Sequence, residues 1–324
     1  EVRGLNTGFE MGGRIVPVIE DVDFDVRKGE FLGLIGESGS GKTVTGMSVL
    51  RLLPENTVTT AVKLDFQGTA LLDLGEEQFR ALRGNRLAMV FQDPTAAFNP
   101  AKRVGWHVRQ VFERAASKSP EHAARARDWK PAAVSLLREV GIVHGEEVLA
   151  QYPHQLSGGM LQRALIALVL AFEPDLIVAD EPTTNLDNIV ERQILKLFRR
   201  LQQRLSSAFI FITHDMSIAA SLCDRIAVMY AGRIVEVGDT RTIFKDPKHP
   251  YTKGLLATAL ALEGGHARLQ EIPGELPHPG SWPQGCLFAA RCAEARDDCR
   301  AARPAMRRIA GREVRCVLYG DGDE

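Results

Sequence analysis

No stretch of this sequence is long and apolar enough to cross a bilayer, which takes roughly 20 residues. The longest apolar run, ALIALVLAF (164–172), reads as a buried helix. No secretory signal is visible, although the chain starts at Glu1 rather than Met, which implies trimming upstream. There is no charge bias either. Forty Lys and Arg against 41 Asp and Glu leave a net charge of −1, so nothing global points to nucleic acid. The five cysteines include no tight C-x2-C pair, the spacing common in zinc modules. No internal repeat is visible, and the residues between 43 and 156 lack coiled-coil heptads.

What is present suits a globular protein of about two domains at roughly 150 residues each. The chain has 324 residues, 45% of them hydrophobic. One segment is locally basic: between Lys102 and Arg138, nine Lys/Arg face three Asp/Glu. That is either a solvated helical face or a surface close to anionic lipid headgroups. RIVPVIEDVDFDV (14–26) alternates as a strand does, and EFLGLIG (30–36) reads as a strand buried on both faces. KTVTGMSVLRLL (42–53) has helical spacing. From about Asp93 to Leu156 the texture is helical, as in PAAVSLLREVG (131–141), with Pro131 in a first turn and Gly141 at an end. Buried-strand runs return in DLIVAD (175–180), AFIFIT (208–213) and RIAVMY (225–230), and YAGRIVEVGD predicts a hairpin around Ala231-Gly232. Strands alternating with helices imply a mostly parallel α/β sheet. A Pro/Gly-rich connector, IPGELPHPGSWPQG (272–285), lies beyond a boundary near 245.

Five motifs carry the chemistry. GESGSGKT (36–43: Gly36, Glu37, Ser38, Gly39, Ser40, Gly41, Lys42, Thr43) follows a strand and opens a helix. Its glycines turn successive amides toward one anion and the helix start adds positive potential. Lys42 would reach the β/γ-phosphates and the Thr43 hydroxyl would bind Mg²⁺. Asp180 ends a strand where it can hold Mg²⁺, and Glu181 stands where a general base would polarise water. Gln92 follows LAMVF, where an amide can touch both Mg²⁺ and that water, and His214 follows AFIFIT, within reach of a γ-phosphate. LSGGM (Leu156, Ser157, Gly158, Gly159, Met160) is a second anion-binding helix start, 115 residues from the first.

With these elements in this order, residues 1–245 resemble the ATP-binding-cassette ATPases of membrane transporters. The resemblance implies an α/β P-loop NTPase (RecA-like) core, an antiparallel β subdomain and a helical insertion at about 93–156, together a nucleotide-binding domain over 1–244. It also explains the two turns. ATP on one chain's GESGSGKT meets the LSGGM of a second cassette, with Asp187 of the D-loop NLD (185–187) also acting across the pair. FQDPTAAFNP, LSGGMLQR, KHPYTKGLL and GCLFAARC narrow the resemblance to oligopeptide/dipeptide importers, a group that includes nickel importers. That implies a second ATPase subunit (a paralogue or a copy of this chain), two membrane-spanning permeases, an extracytoplasmic solute-binding protein, and a peripheral place on the cytoplasmic face of the plasma membrane.

Asn185 departs from the small residue usual in the D-loop, and DNIVERQIL (187–195) also drifts. Phe9 is the only aromatic before Phe24 and the candidate to stack on adenine, with Ile15 or Val16 as alternatives. The extension 245–324 carries Cys286, Cys292, Cys299 and Cys316 at C-x5-C-x6-C-x16-C. Four thiolates suit Zn²⁺ or a [4Fe–4S] cluster. The resemblance favours the cluster, with zinc and metal-free thiols or disulfides as alternatives. A non-transport cassette ATPase, such as a subunit of a phosphonate-degrading complex, is the rival function; a metal-sensing regulator is the other.

Overall fold

The computed structural model describes residues 1–184, 186–264 and 272–319, with backbone alone for 261–264. The chain opens with strands β1 (Val2–Met11), β2 (Arg14–Phe24) and β3 (Phe31–Ile35), then helix α1 (Lys42–Val49). Short strands β4 (Thr57–Thr60), β5 (Lys63–Phe66) and β6 (Thr69–Ala70) follow, then α2 (Glu76–Leu82) and β7 (Leu87–Val90). Next come α3 (Val104–Ala115), α4 (Pro120–Arg127), α5 (Trp129–Glu139) and α6 (Gly145–Ala150). Helix α7 (Gly158–Leu170) leads to β8 (Leu176–Asp180), and α8 (Asn188–Leu205) to β9 (Ala208–Thr213). The chain continues through α9 (Met216–Leu222), β10 (Arg225–Tyr230), β11 (Arg233–Asp239), α10 (Thr240–Lys245) and α11 (Pro250–Gly264). Helix α12 (Asp297–Ala301) and strands β12 (Arg307–Ile309) and β13 (Arg312–Val314) complete the described elements.

Two compact units result. The first comprises Glu1–Val26, Glu30–Leu74 and Ile210–Glu324. Its antiparallel sheet is built on the β1–β2 hairpin, with β4 and β5 also paired to β1. Its other sheet runs β12-β13-β11-β10-β3-β9. Strand β3 is buried along its whole length, as its continuous apolar run requires. It pairs in parallel with β10, and β10 turns into antiparallel β11. That turn is the hairpin expected at Ala231-Gly232: both residues have positive φ, 43° and 80°, as a two-residue turn that follows strand twist needs.

The tail adds strands that its sequence did not announce. Strand β13 pairs with β11, and β12 pairs with β13. Arg315 fastens this edge through Nη1 to Asp21 Oδ2 at 2.8 Å. Arg312 does so through hydrogen bonds to the Asp246 carbonyl and carboxylate. Helix α1 corrects an expectation: it ends at Val49 and not near residue 53. Arg51 has φ 48° and its guanidinium donates to the Leu71 and Leu74 carbonyls. Pro54 also disfavours helix in the residue before it.

The second unit comprises Arg27–Gly29 and Gly75–Phe209. Strands β7 and β8 pair in parallel, Leu87 opposite Leu176. Helix α7 buries nine of its residues, as ALIALVLAF led one to expect. The basic segment is partly structural. The Lys118 ammonium donates to the carbonyls of Asn85, Phe172 and Glu173, and Arg125 pairs with Glu173 at 2.8 Å. Others, such as Arg109 paired with Glu113, lie at the surface. Among the described residues no helix is long and apolar enough to cross a membrane.

Candidate functional site

In the first unit, residues 36–41 join β3 to α1. A Cβ on Gly36 would come within 2.1 Å of the Met229 carbonyl oxygen, so only glycine lets the loop leave the strand there. Gly41, the residue before α1, has φ 101°, a conformation L side chains rarely adopt. The Gly232 N–H donates to the Ser40 carbonyl at 2.8 Å and fastens the loop to the β10–β11 turn. Lys42 is only 4% exposed. Its Nζ donates to the carbonyls of Gly36 (2.8 Å) and Glu37 (2.9 Å). The ammonium is thus held across the loop, where a polyanion seated on the loop would meet it. Ser38, Gly39 and Thr43 are exposed, while Ser40 is buried. His214 is exposed directly after β9, and the next residue, Asp215, caps α9 by accepting from the Ser217 and Ile218 amides.

Phe9 is half-buried on β1, and its cross-strand partner on β2 is Val16. Two of the three adenine-stacking candidates are therefore direct neighbours. The third, Ile15, is 58% exposed.

In the second unit, Asp180 ends β8 with 4% exposure. Glu181 follows with φ 41°, a strained value for a residue with a Cβ. Its Oε2 accepts from Thr184 Oγ1 at 2.9 Å and lies 3.4 Å from Gln92 Nε2. The fold thus brings Gln92, exposed after β7, to Glu181. Sequence reasoning missed Thr184. Its only local signal was its place three residues after Glu181 in EPTT.

Ser157 caps α7, its Oγ accepting from the Met160 amide at 3.3 Å. Leu156 is half-buried, and Ser157 and Gly158 are exposed. A Cβ on Gly159 would meet Val190 at 3.0 Å, but one on Gly158 would meet nothing within 4 Å. Asp187 caps α8, Oδ1 accepting from the Ile189 and Val190 amides. Asn185 lies outside the described residues.

Burial pushes the Cys316 thiol up to about 11, and Cys286, Cys292 and Cys299 add to that shift. Burial also raises Cys286 and Cys292. The Cys286 amide donates to the Cys299 carbonyl at 2.7 Å. The four thiols therefore share a neighbourhood. Even so, among the described residues no group of three or more His, Cys, Asp or Glu is placed to hold a metal ion. The expectations of a [4Fe–4S] cluster or zinc find no ligand constellation there.

Comparison with known proteins decides the family. The ABC transporter family model matches residues 19–184, and the model for the oligopeptide/dipeptide transporter C-terminal region matches 235–299. The chain belongs to the ABC transporter family. A probable peptide ABC transporter ATP-binding protein of Sinorhizobium fredii is 44% identical over 95% of this chain and 91% of its own length. An oligopeptide transport ATP-binding protein of Bacillus subtilis is 37% identical over 98% and 96%. A dipeptide transport ATP-binding protein of Haemophilus influenzae is 40% identical over 98% and 94%. Among solved structures, a dimeric ATP-binding cassette in a post-hydrolysis state with ADP and Pi has a TM-score of 0.60. It covers 74% of this chain and 98% of the other at 24% identity, a likeness of fold. The cassette is an ATPase of P-loop NTPase fold, and ATP with Mg²⁺ is typical of its family.

Proposed function

We propose that this cassette powers the uptake of peptides or a related small solute, hydrolysing ATP where its phosphate loop meets the LSGGM turn of a second cassette. The observation that carries the ATP half of this reading is Lys42, buried and donating to the loop's own carbonyls across its mouth. The relatives are named for peptide, oligopeptide and dipeptide transport, which supports the substrate class. The partners are a second cassette (a copy or a paralogue), two membrane-spanning permeases and an extracytoplasmic solute-binding protein. The cassette would sit on the cytoplasmic face of the membrane. Residues 1–244 form the nucleotide-binding domain, with a helical subdomain at about 93–156, and 245–324 the extension.

In this reading the amides of Gly36–Thr43 and the Lys42 ammonium bind the β- and γ-phosphates. Glu181 accepts the proton of the attacking water, held in place by Thr184 and Gln92, and His214 contacts the γ-phosphate. Phe9 is the adenine contact. Thr43, Gln92 and Asp180 offer a hydroxyl, an amide carbonyl and a carboxylate, hard oxygen donors that suit Mg²⁺, which neutralises phosphate charge when bound. Leu156, Ser157, Gly158, Gly159 and Asp187 serve the partner's nucleotide. In the assembled transporter, Glu181→Gln keeps ATP binding but lowers turnover at least ~10²-fold, the scale of a general base. Turnover within about tenfold of the parent would remove Glu181 from that role.

The tail cysteines are read as ligands of an iron–sulfur cluster, supported by the shared neighbourhood of two buried thiols, Cys299 and Cys316, and two half-buried ones, Cys286 and Cys292. Anaerobic purification followed by iron and sulfide counting tests this. Protein without iron, whose four thiols all titrate, would leave the metal-free alternative.

A further inference from the structure

Arg291 belongs to the cysteine-bearing tail, one residue before Cys292, yet it reaches the phosphate loop. Its Nη1 donates to Glu37 Oε2 at 2.7 Å and its Nη2 to Glu37 Oε1 at 3.0 Å, across 254 residues of chain. The same guanidinium donates through Nε to the Pro273 carbonyl at 2.8 Å and through Nη2 to the Ile272 carbonyl at 3.1 Å. It lies 5.7 Å from the Tyr230 ring centroid, and its side chain is 6% exposed. Tyr230 in turn packs with Tyr251 and Phe288, edge-on or tilted to one another, with ring centroids 4.7–5.4 Å apart. Tyr251 Oη accepts the Glu37 amide at 2.9 Å. Glu37 is thus held at its backbone by one residue of the C-terminal region and at its carboxylate by another.

A carboxylate in a loop built for a polyanion is a liability. Unpaired, it would repel the incoming phosphates. It would also compete for Lys42, whose Nζ already bonds the Glu37 carbonyl at 2.9 Å. A bidentate Arg–carboxylate pair fixes both charge and direction, which a single-point lysine contact does not.

We propose that Arg291 is a positioning residue of the nucleotide site: its pairing with Glu37 neutralises that carboxylate and holds it away from Lys42 and the ATP phosphates. The tail is then part of the ATP-binding apparatus of its own chain. This rests on the reading of 36–43 as the ATP loop. Gly39 of that loop also lies beside the connector, where a Cβ would be 4.0 Å from Leu276.

The test is calorimetric titration of the isolated full chain with MgATP. Arg291→Ala weakens binding about tenfold, and Arg291→Lys less. Glu37→Gln binds a few-fold tighter than the parent, because it removes the repelling charge and frees the guanidinium. Glu37→Gln/Arg291→Ala recovers most of the loss, a coupling that a merely structural clamp would not produce. Arg291→Ala within about twofold of the parent, or a double variant as weak as Arg291→Ala, overturns the proposal. If Arg291→Ala does not fold, Glu37→Gln decides alone, and weaker binding by it is the overturning result. Lys42→Ala is the control. If the parent binds no MgATP, or Lys42→Ala binds it equally well, the ATP-loop reading fails and this inference falls with it.

Discussion

His249 shows how one side chain ties acid stability to the site. It is fully buried, and its Nδ1 accepts the Tyr251 amide at 3.1 Å while its own amide donates to Glu236 Oε2 at 2.9 Å. Tyr251 in turn receives the Glu37 amide. Burial, aided by the nearby Lys253 charge, lowers the imidazole from 6.5 to about 3. The ring is neutral in the folded chain, as an accepting Nδ1 requires. When the chain unfolds below pH 6.5 the freed imidazole takes a proton that the folded state refuses. This group therefore destabilises the fold progressively as pH falls from about 6.5 to about 3. The slope is roughly 1.4 kcal/mol per pH unit. Asparagine keeps an acceptor for the Tyr251 amide but cannot titrate. Urea unfolding at several pH values between 6.5 and 4 should give His249→Asn a shallower pH slope than the parent, by about one proton. Parallel slopes would show that the histidine is not the proton acceptor.

At the scale of elements, legibility followed locality. The β3–loop–α1 unit was readable because a continuous apolar run, a glycine-rich turn and a helix start are neighbours in sequence. The β10–β11 hairpin was readable for the same reason, since Ala231-Gly232 supplies its turn. The end of α1 was not, because Arg51 leaves the helix to bond the carbonyls of Leu71 and Leu74, which no periodicity encodes. Strands β12 and β13 were hidden because RRI and REV are three residues long and mostly charged. Their strand character comes from pairing, β13 along β11 and β12 along β13. Site residues divide in the same way. Those in contiguous motifs could be named as candidates from the sequence alone. Thr184 and Arg291 act on Glu181 and Glu37 through contacts that only folding creates.

At the scale of the whole molecule, the question is what the glycine-bearing start of α7, proposed above as a second anion-binding turn, serves. Gly158 supplies the argument. Its φ is not positive and, among the described residues, a Cβ there would meet nothing within 4 Å, so neither backbone strain nor packing against those residues calls for glycine. In the reading proposed above, what a side chain at 158 would obstruct is a nucleotide on a second cassette. Gly158→Glu separates the two roles. A carboxylate in the first turn of α7 suits the helix dipole, so the melting temperature should not fall. MgATP binding by the isolated chain, which depends on Lys42, should stay within about twofold, because no new contact reaches that loop. In the assembled transporter the added charge would face the partner's γ-phosphate, and ATP turnover should fall at least ~10²-fold, the scale lost when one transition-state donor is removed. If turnover survives in the complex, the second turn does not serve a neighbouring cassette. If binding by the lone chain is lost instead, the turn belongs to its own chain's nucleotide.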